Sequence, residues 1–312
     1  MLNIVYLGTP GFAVPALQAL IDAEDVNIPL VISQPDRKRS RNKWSATPVK
    51  ELALKHDIPV ITPEKINRQA TIDQLVEINP DFLVVIAYGQ IIGKRILDAF
   101  PDRIINIHGS LLPEYRGAAP MQRALLDGKD ETGVTSMLIR QEMDAGPMLA
   151  TAKVKIQDDD DMDSLSNKLA YLGADLLLET LRNFDDLNAN RKEQDPELVT
   201  YAAKISKEDG YLDFNNEGRV LIDQVRTLKD SPGVKFRLNG VDYKVHAAHL
   251  EKRKDGFPNG TLWKSEGGIA INAKDSSFVI DSIQAPNKKA MATQDFLRGN
   301  SLELGSLAEQ PE

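Results

Sequence analysis

Hydrophobic positions in the first half of the chain alternate between short unbroken runs and helical spacing. Residues 3–7 (N-I-V-Y-L), 28–33, 59–61, 81–87 (D-F-L-V-V-I-A) and 103–107 (R-I-I-N-I) read as strands. The stretches 13–22, 49–56, 72–78 and 94–100 between them read as helices. Unbroken apolar strands suit a parallel sheet covered on both faces, and the alternation predicts an α/β fold with right-handed crossovers. A helix at 120–126 and strands at 134–139 and 148–156 follow. One long helix at 163–184 carries Leu165, Leu169, Leu172, Leu176 and Leu177 on its apolar face.

Beyond residue 205 the pattern changes. After a helix at 219–228 come short alternating runs at 234–238, 243–247, 260–263, 268–272 and 278–283, separated by glycine and Asn-Gly turns. Short strands at such spacing predict a small β-barrel or sandwich. The pattern therefore divides the chain into a first domain at 1–188, a polar linker at 189–205 and a C-terminal β-barrel domain at 206–312. Asp158 to Asp161 reads as a solvated loop ahead of a helix N-terminus, where negative charge is favourable. The turn Gly8-Thr9-Pro10-Gly11 lacks the G-x-G-x-x-G spacing, so a tight strand-to-helix connection is expected there and no nucleotide.

Composition narrows the picture. A net charge of -8 argues against a surface that coats nucleic acid throughout. With no cysteine, thiolate nucleophiles, disulfides and zinc–cysteine sites are excluded. No apolar run approaches the ~20 residues that span a bilayer, and the opening residues read as a core strand rather than a signal peptide. A cytoplasmic protein is expected. Against the acidic background, Arg37, Lys38, Arg39, Arg41 and Lys43 put five cations within seven residues. Trp44 follows at once.

The chemistry concentrates at 104–109, I-I-N-I-H-G. Asn106 and His108 are two apart on a strand, so their side chains share a face. They stand at the strand's carboxyl end, where open α/β sheets bind ligands. An amide and an imidazolium can both donate hydrogen bonds to the oxyanion of an acyl transfer, and the imidazole can carry a proton between nitrogens. Asp144, in the turn Met143-Asp144-Ala145-Gly146-Pro147, is the carboxylate best placed to orient the ring. His56, His246 and His249 read as capping, packing or surface groups.

The run Asn106 to Leu125, N-I-H-G-S-L-L-P-E-Y-R-G-A-A-P-M-Q-R-A-L, resembles the folate-dependent formyltransferase family. Other segments carry the resemblance along the chain: L-G-T-P-G-F at 7–12, Gln34-Pro35-Asp36, T-P-V-K at 47–50, V-I-A-Y-G-Q at 85–90, E-T-G-V-T at 131–135, K-I-S-K-E at 204–208 and K-K-A-M at 288–291. They fit the branch acting on methionine carried by initiator tRNA. The resemblance implies a Rossmann-like domain followed by a β-barrel of the oligonucleotide-binding type. It implies that 10-formyltetrahydrofolate donates its formyl group to the α-amine of methionine on initiator tRNA. Asn106, His108 and Asp144 match the family's catalytic three. Ser110, Leu111, Leu112 and Pro113 match its folate-contacting segment, and Ile86, Tyr88, Gly89 and Gln90 are expected to line the same pocket. No metal is implied, and the chain is expected to act as a monomer. Arg37, Lys38, Arg39, Arg41 and Lys43 are assigned to tRNA phosphates, with Trp44 available to stack on a base. At 228–233, L-K-D-S-P-G, the sequence departs from the family's aromatic, proline-rich turn. The rival readings are a related N-formyltransferase acting on a sugar amine or a purine precursor, and an RNA-binding protein without activity.

Overall fold

A computed structural model describes residues 1–38, 44–266 and 268–309, with the backbone alone at Arg37 and Lys38. The chain forms two compact units that interleave in sequence. The first comprises Met1–Pro120, Glu131–Ile156 and Asp163–Ala202, the second Met121–Asp130, Gln157–Met162 and Ala203–Glu312.

In the first unit the strands are β1 (Leu2–Gly8), β2 (Val26–Ile32), β3 (Arg37–Lys38), β4 (Trp44–Ser45), β5 (Val60–Ile61), β6 (Phe82–Ile86), β7 (Ile104–His108), β8 (Arg116–Gly117), β9 (Glu131–Leu138), β10 (Met148–Lys155) and β11 (Tyr201–Ala202). The helices, in chain order, are α1 (Val14–Asp22), α2 (Pro48–Lys55), α3 (Gln69–Ile78), α4 (Lys94–Ala99), α5 (Pro120–Leu126), α6 (Met162–Arg182) and α7 (Phe184–Ala189). α5 belongs almost wholly to the second unit.

Seven strands form one sheet in the order β10-β9-β7-β6-β1-β2-β5. The parallel sheet expected from the sequence holds for β5, β2, β1, β6 and β7. β9 runs antiparallel to both of its neighbours, β7 and β10, and a turn rather than a crossover helix joins it to β10. The chain winds outward from β1 to β5, then returns to lay β6 on the other side of β1. That reversal opens a crevice at the carboxyl ends of β1 and β6.

Leu83, Val85 and Ile104 share one apolar cluster with Ile72 and Leu75 of α3 and Ile96 of α4. On β7 the alternate residue Ile107 faces the other way. A Cβ on Gly173 of α6 would come within 3.0 Å of Ile107, so this glycine permits close packing there. Leu165, Leu169 and Leu177 of α6 are fully buried, each contributing about 1.5–3 kcal/mol by removal from water. Asn106 and His108 consequently turn away from α6, toward the side of α3 and α4. α2 starts where its sequence says it should: Thr47 caps it by accepting from Lys50 N at 3.2 Å, and Pro48 occupies the first turn.

The segment read as a linker, 189–205, is tied to the first unit for most of its length. Lys192 pairs with Met148, and β11 pairs in parallel with β8.

The second unit holds α8 (Gly218–Leu228), β12 (Val234–Leu238), β13 (Val241–Lys252), β14 (Leu262–Ser265), β15 (Gly268–Asn272), β16 (Ser276–Gln284), β17 (Met291–Ala292) and α9 (Thr293–Gly299). Its antiparallel sheet runs β12-β13-β16-β15-β14, with β17 on β16. Phe214, Phe236, Phe278 and Ile280 are fully buried in its core. Residues 305–309 bond to both outer strands: Gly305 N to Leu262 O of β14 at 2.8 Å and Glu309 N to Arg237 O of β12 at 2.9 Å. This joins the edges as in a small barrel.

The aspartate run is not simply solvated. Asp158 pairs with Arg219 and Asp161 with Lys229, while Arg226 donates to the carbonyls of Gln157 and Asp160. Cations along α8 and at its C-cap, Lys229, attract it, an arrangement invisible in a run read by itself. Buried Asp223 lies 2.7 Å from Arg226, and burial pushes its carboxyl above the usual range despite that partner.

Candidate active site

At the carboxyl end of β7, His108 is almost wholly buried. Its Nε2 lies 2.9 Å from the carbonyl of Tyr115. A carbonyl only accepts, so Nε2 carries a hydrogen and the second nitrogen, Nδ1, is left as the ring position able to accept one. Nδ1 lies 3.8 Å from Oδ2 of Asp144, within ion-pair range when the ring is protonated. The same carboxylate oxygen accepts from Gly117 N at 2.9 Å. Asn106 sits one alternation earlier, half-buried, opposite Val85 of β6 and Met137 of β9. Its side-chain amide has no hydrogen-bond partner among the described residues. The three residues singled out by sequence therefore include a histidine–carboxylate pair and an uncommitted amide on the same strand face.

Local conformation explains why Asp144 reaches the ring. Its φ is 51°, in the left-handed region, where a non-glycine residue persists only under external constraint. Gly146, two residues on, has no room for a side chain, since a Cβ would collide with the Leu138 carbonyl. Gly117 has φ 119°, and a Cβ there would meet Ala202 O at 2.9 Å. The glycines of D-A-G and R-G-A-A-P thus let two backbones close on the Asp144 carboxylate.

The S-L-L-P segment is fixed from beneath. Ser110 is fully buried and its hydroxyl donates to Glu114 O at 2.7 Å. Thr135 donates to Ser110 O and accepts from Leu112 N. Gly133 leaves space for Leu111, whose Cδ2 would lie 2.6 Å from a Cβ at that position. The E-T-G-V-T motif accordingly serves to seat the S-L-L-P loop. Leu112 is buried, whereas Leu111 and Pro113 remain partly exposed.

The turn after β6 is held in the same manner. Thr9 Oγ1 and Gln34 Nε2 both donate to Tyr88 O, at 2.8 and 3.2 Å. Ala87 and Gly89 have left-handed φ values of 46° and 88°. Ile86 ends the buried strand. Tyr88 turns its ring into the core, and burial pushes its phenol up to about 12. Gln90 directs its amide to Pro63 O and Ile66 N rather than outward. What this turn exposes is therefore Ala87, Gly89 and Ile91. A cleft of about 430 Å³ opens here, lined by Thr9, Pro10, Gln34, Thr47, Tyr88 and Gly89 among others, at the reversal of strand order.

Arg37 and Lys38 pair through their backbone with Trp44 and Ser45. Arg39, Arg41 and Lys43 lie outside the described residues. At the foot of this basic segment, Asp36 is clamped by Lys50 at 2.8 Å. Sequence reasoning missed Gln194, which it assigned to a linker, and Arg116, which it read only as part of a motif. Gln194 Nε2 donates to the carbonyls of Asp144 and Gly146, and its Oε1 accepts from Arg116 Nε. A glutamine in a polar stretch carries no periodic or motif signal.

The chain belongs to the formyl transferase family, matching its formyl transferase domain over residues 2–181 and the family's C-terminal domain over residues 204–301. Along nearly its whole length it is similar to methionyl-tRNA formyltransferases. It is 42% identical to that of Finegoldia magna, over 97% of this chain and 98% of the relative. It is 37% identical to that of Bacillus subtilis, over 98% of both. Among solved structures, an N-formyltransferase from Helicobacter canadensis in complex with folinic acid and dTDP-3-aminofucose superposes with a TM-score of 0.65 at 19% identity, covering 90% of this chain and 99% of that one. Phosphoribosylglycinamide formyltransferase from Bacillus halodurans gives 0.51 at 25% identity, covering 58% of this chain and 94% of that one. No described helix is long and apolar enough to cross a membrane.

Proposed function

We propose that this chain transfers the formyl group of 10-formyltetrahydrofolate to the α-amine of methionine esterified to initiator tRNA, and so prepares that tRNA for translation initiation. One observation carries the chemistry: His108 Nδ1 and the Asp144 carboxylate face each other at 3.8 Å where β7 ends. The choice of acceptor rests on full-length relatives that are methionyl-tRNA formyltransferases at 37–42% identity.

In this reading the neutral amine attacks the formyl carbon, and the carbonyl electrons move onto oxygen. Asn106 donates to that oxyanion, as electrostatic stabilisation of acyl transfer requires. His108 takes the amine proton at Nδ1 and returns it to the departing folate nitrogen as the carbon–nitrogen bond breaks. Asp144 holds the ring while it is charged. The donor set fits a planar heterocycle. Leu111 and Pro113 present half-exposed apolar surface, and the turn 87–91 presents open backbone. Ser110, Leu112, Ile86, Tyr88 and Gln90 shape this pocket from within, and Gly89 lets the ligand approach. Arg37, Lys38, Arg39, Arg41 and Lys43 meet phosphates near the acceptor end, acting in the cytoplasm on a monomeric enzyme.

The test is formyl transfer from 10-formyltetrahydrofolate to methionyl initiator tRNA, with a nucleotide-linked amino sugar as the competing acceptor and Asp144→Asn beside wild type. Formylated methionyl-tRNA from wild type and strongly reduced product from Asp144→Asn are expected. Transfer to the amino sugar alone would assign a different acceptor.

A further inference from the structure

We infer that Gln194 is a positioning residue for the reaction, acting through Asp144. The inference rests on the formyl-transfer reading above. One side-chain amide meets three partners. Nε2 donates to Asp144 O at 2.7 Å and to Gly146 O at 2.8 Å, while Oε1 accepts from Arg116 Nε at 2.9 Å. Both hydrogens of the amide are used, and Gln194 is about nine-tenths buried.

The geometry makes this more than a structural bond. The Asp144 backbone is left-handed at φ 51°, a conformation that relaxes unless held. The two carbonyls that Gln194 grips belong to that residue itself and to Gly146, the position of the tight contact with Leu138. On the other side, Arg116 immediately precedes Gly117, whose N–H meets the Asp144 carboxylate at 2.9 Å. Gln194 therefore fastens the backbone of Asp144 and, through buried Arg116, the strand that receives its carboxylate. Arg116 N is bonded in turn to Thr200 O at 2.9 Å, and Thr200 Oγ1 accepts from Tyr115 N at 2.8 Å. Tyr115 O is the group that fixes His108 Nε2. The segment 194–202 thus sets both members of the pair: Gln194 places the carboxylate, and Thr200 places the carbonyl that orients the ring.

Gln194→Met keeps the length of the side chain and removes all three hydrogen bonds, and Gln194→Glu keeps only the acceptor for Arg116. Both are assayed for transfer to methionyl-tRNA, alone and in an Asp144→Asn background, with circular dichroism and thermal melting to verify folding. Expected for Gln194→Met is a fall in kcat of about tenfold or more, since small displacements of a reacting group are severe in their effect. KM for donor and for tRNA should stay within about twofold of wild type, because nothing that binds them is removed. In the Asp144→Asn background the same substitution should add little, since residues acting as one unit are non-additive. Should Gln194→Met fail to fold, Gln194→Glu supplies the same comparison. Folded variants with unchanged kcat, or effects that multiply with Asp144→Asn, would overturn the role of Gln194. An inactive wild type would instead overturn the reading of the reaction.

Discussion

At the scale of single residues, the site depends on which atoms are already committed. His108 spends Nε2 on Tyr115 O and keeps Nδ1 for Asp144, while the Asn106 amide is uncommitted among the described residues. On the proposed mechanism His108→Ala removes the proton carrier, so kcat for formyl transfer should fall by ~10²-fold or more with folding unchanged. Turnover close to wild type would show that another group moves the proton. A second histidine, in the other unit, predicts a pH effect on stability instead. The carboxylate of Asp281, 2.9 Å from His249 Nδ1, raises the affinity of that ring for its proton, with Glu251 assisting. A group bound more tightly by protons when folded stabilises fully below its unfolded value, about 6.5. That contribution disappears as pH rises through the higher folded value. His249→Gln should therefore lower the melting temperature under mildly acidic conditions and leave it unchanged in alkaline buffer. A difference that persisted at alkaline pH would refute the linkage.

At the scale of elements, short strands and turns do most of the positioning. The two residues of β8 and the two of β11 bring Gly117 and Ala202 close enough to exclude a Cβ. In the second unit, residues 305–309 join the outer strands of the sheet, and Ala308 is buried between them. Ala308→Asp would bury an unpaired charge and part that seam. We expect a loss of roughly 3 kcal/mol or more, read by urea unfolding, with faster aggregation from the exposed edges. An unchanged midpoint would mean that this segment does not close the sheet. The sequence announced the long elements through their periodicity: α6 by its leucines, β6 by its unbroken apolar run. It could not announce β8 and β11, because two-residue strands have no period to read. Nor did composition suggest that the polar stretch containing Gln194 would bond to the turn of Asp144. The motif residues were legible as a family resemblance, but the reasons for them emerge only in space. Thr9 and Gln34 hold the turn after β6, and Gly133 makes room for Leu111.

At the scale of the whole molecule, the order of units along the chain matters as much as their folds. Met121–Asp130 and Gln157–Met162 lie mid-sequence yet belong to the second unit, whose bulk begins only at Ala203. Leu126 packs on the core that contains Phe236 and Phe278, more than a hundred residues later. No single breakpoint in a gene can therefore hand this second body intact to a new host protein. A crossover near residue 203 would deliver it without two of its own pieces and strand those pieces in the donor. Recombination can exchange such an enzyme whole or alter it residue by residue, but it cannot trade its halves like beads on a string.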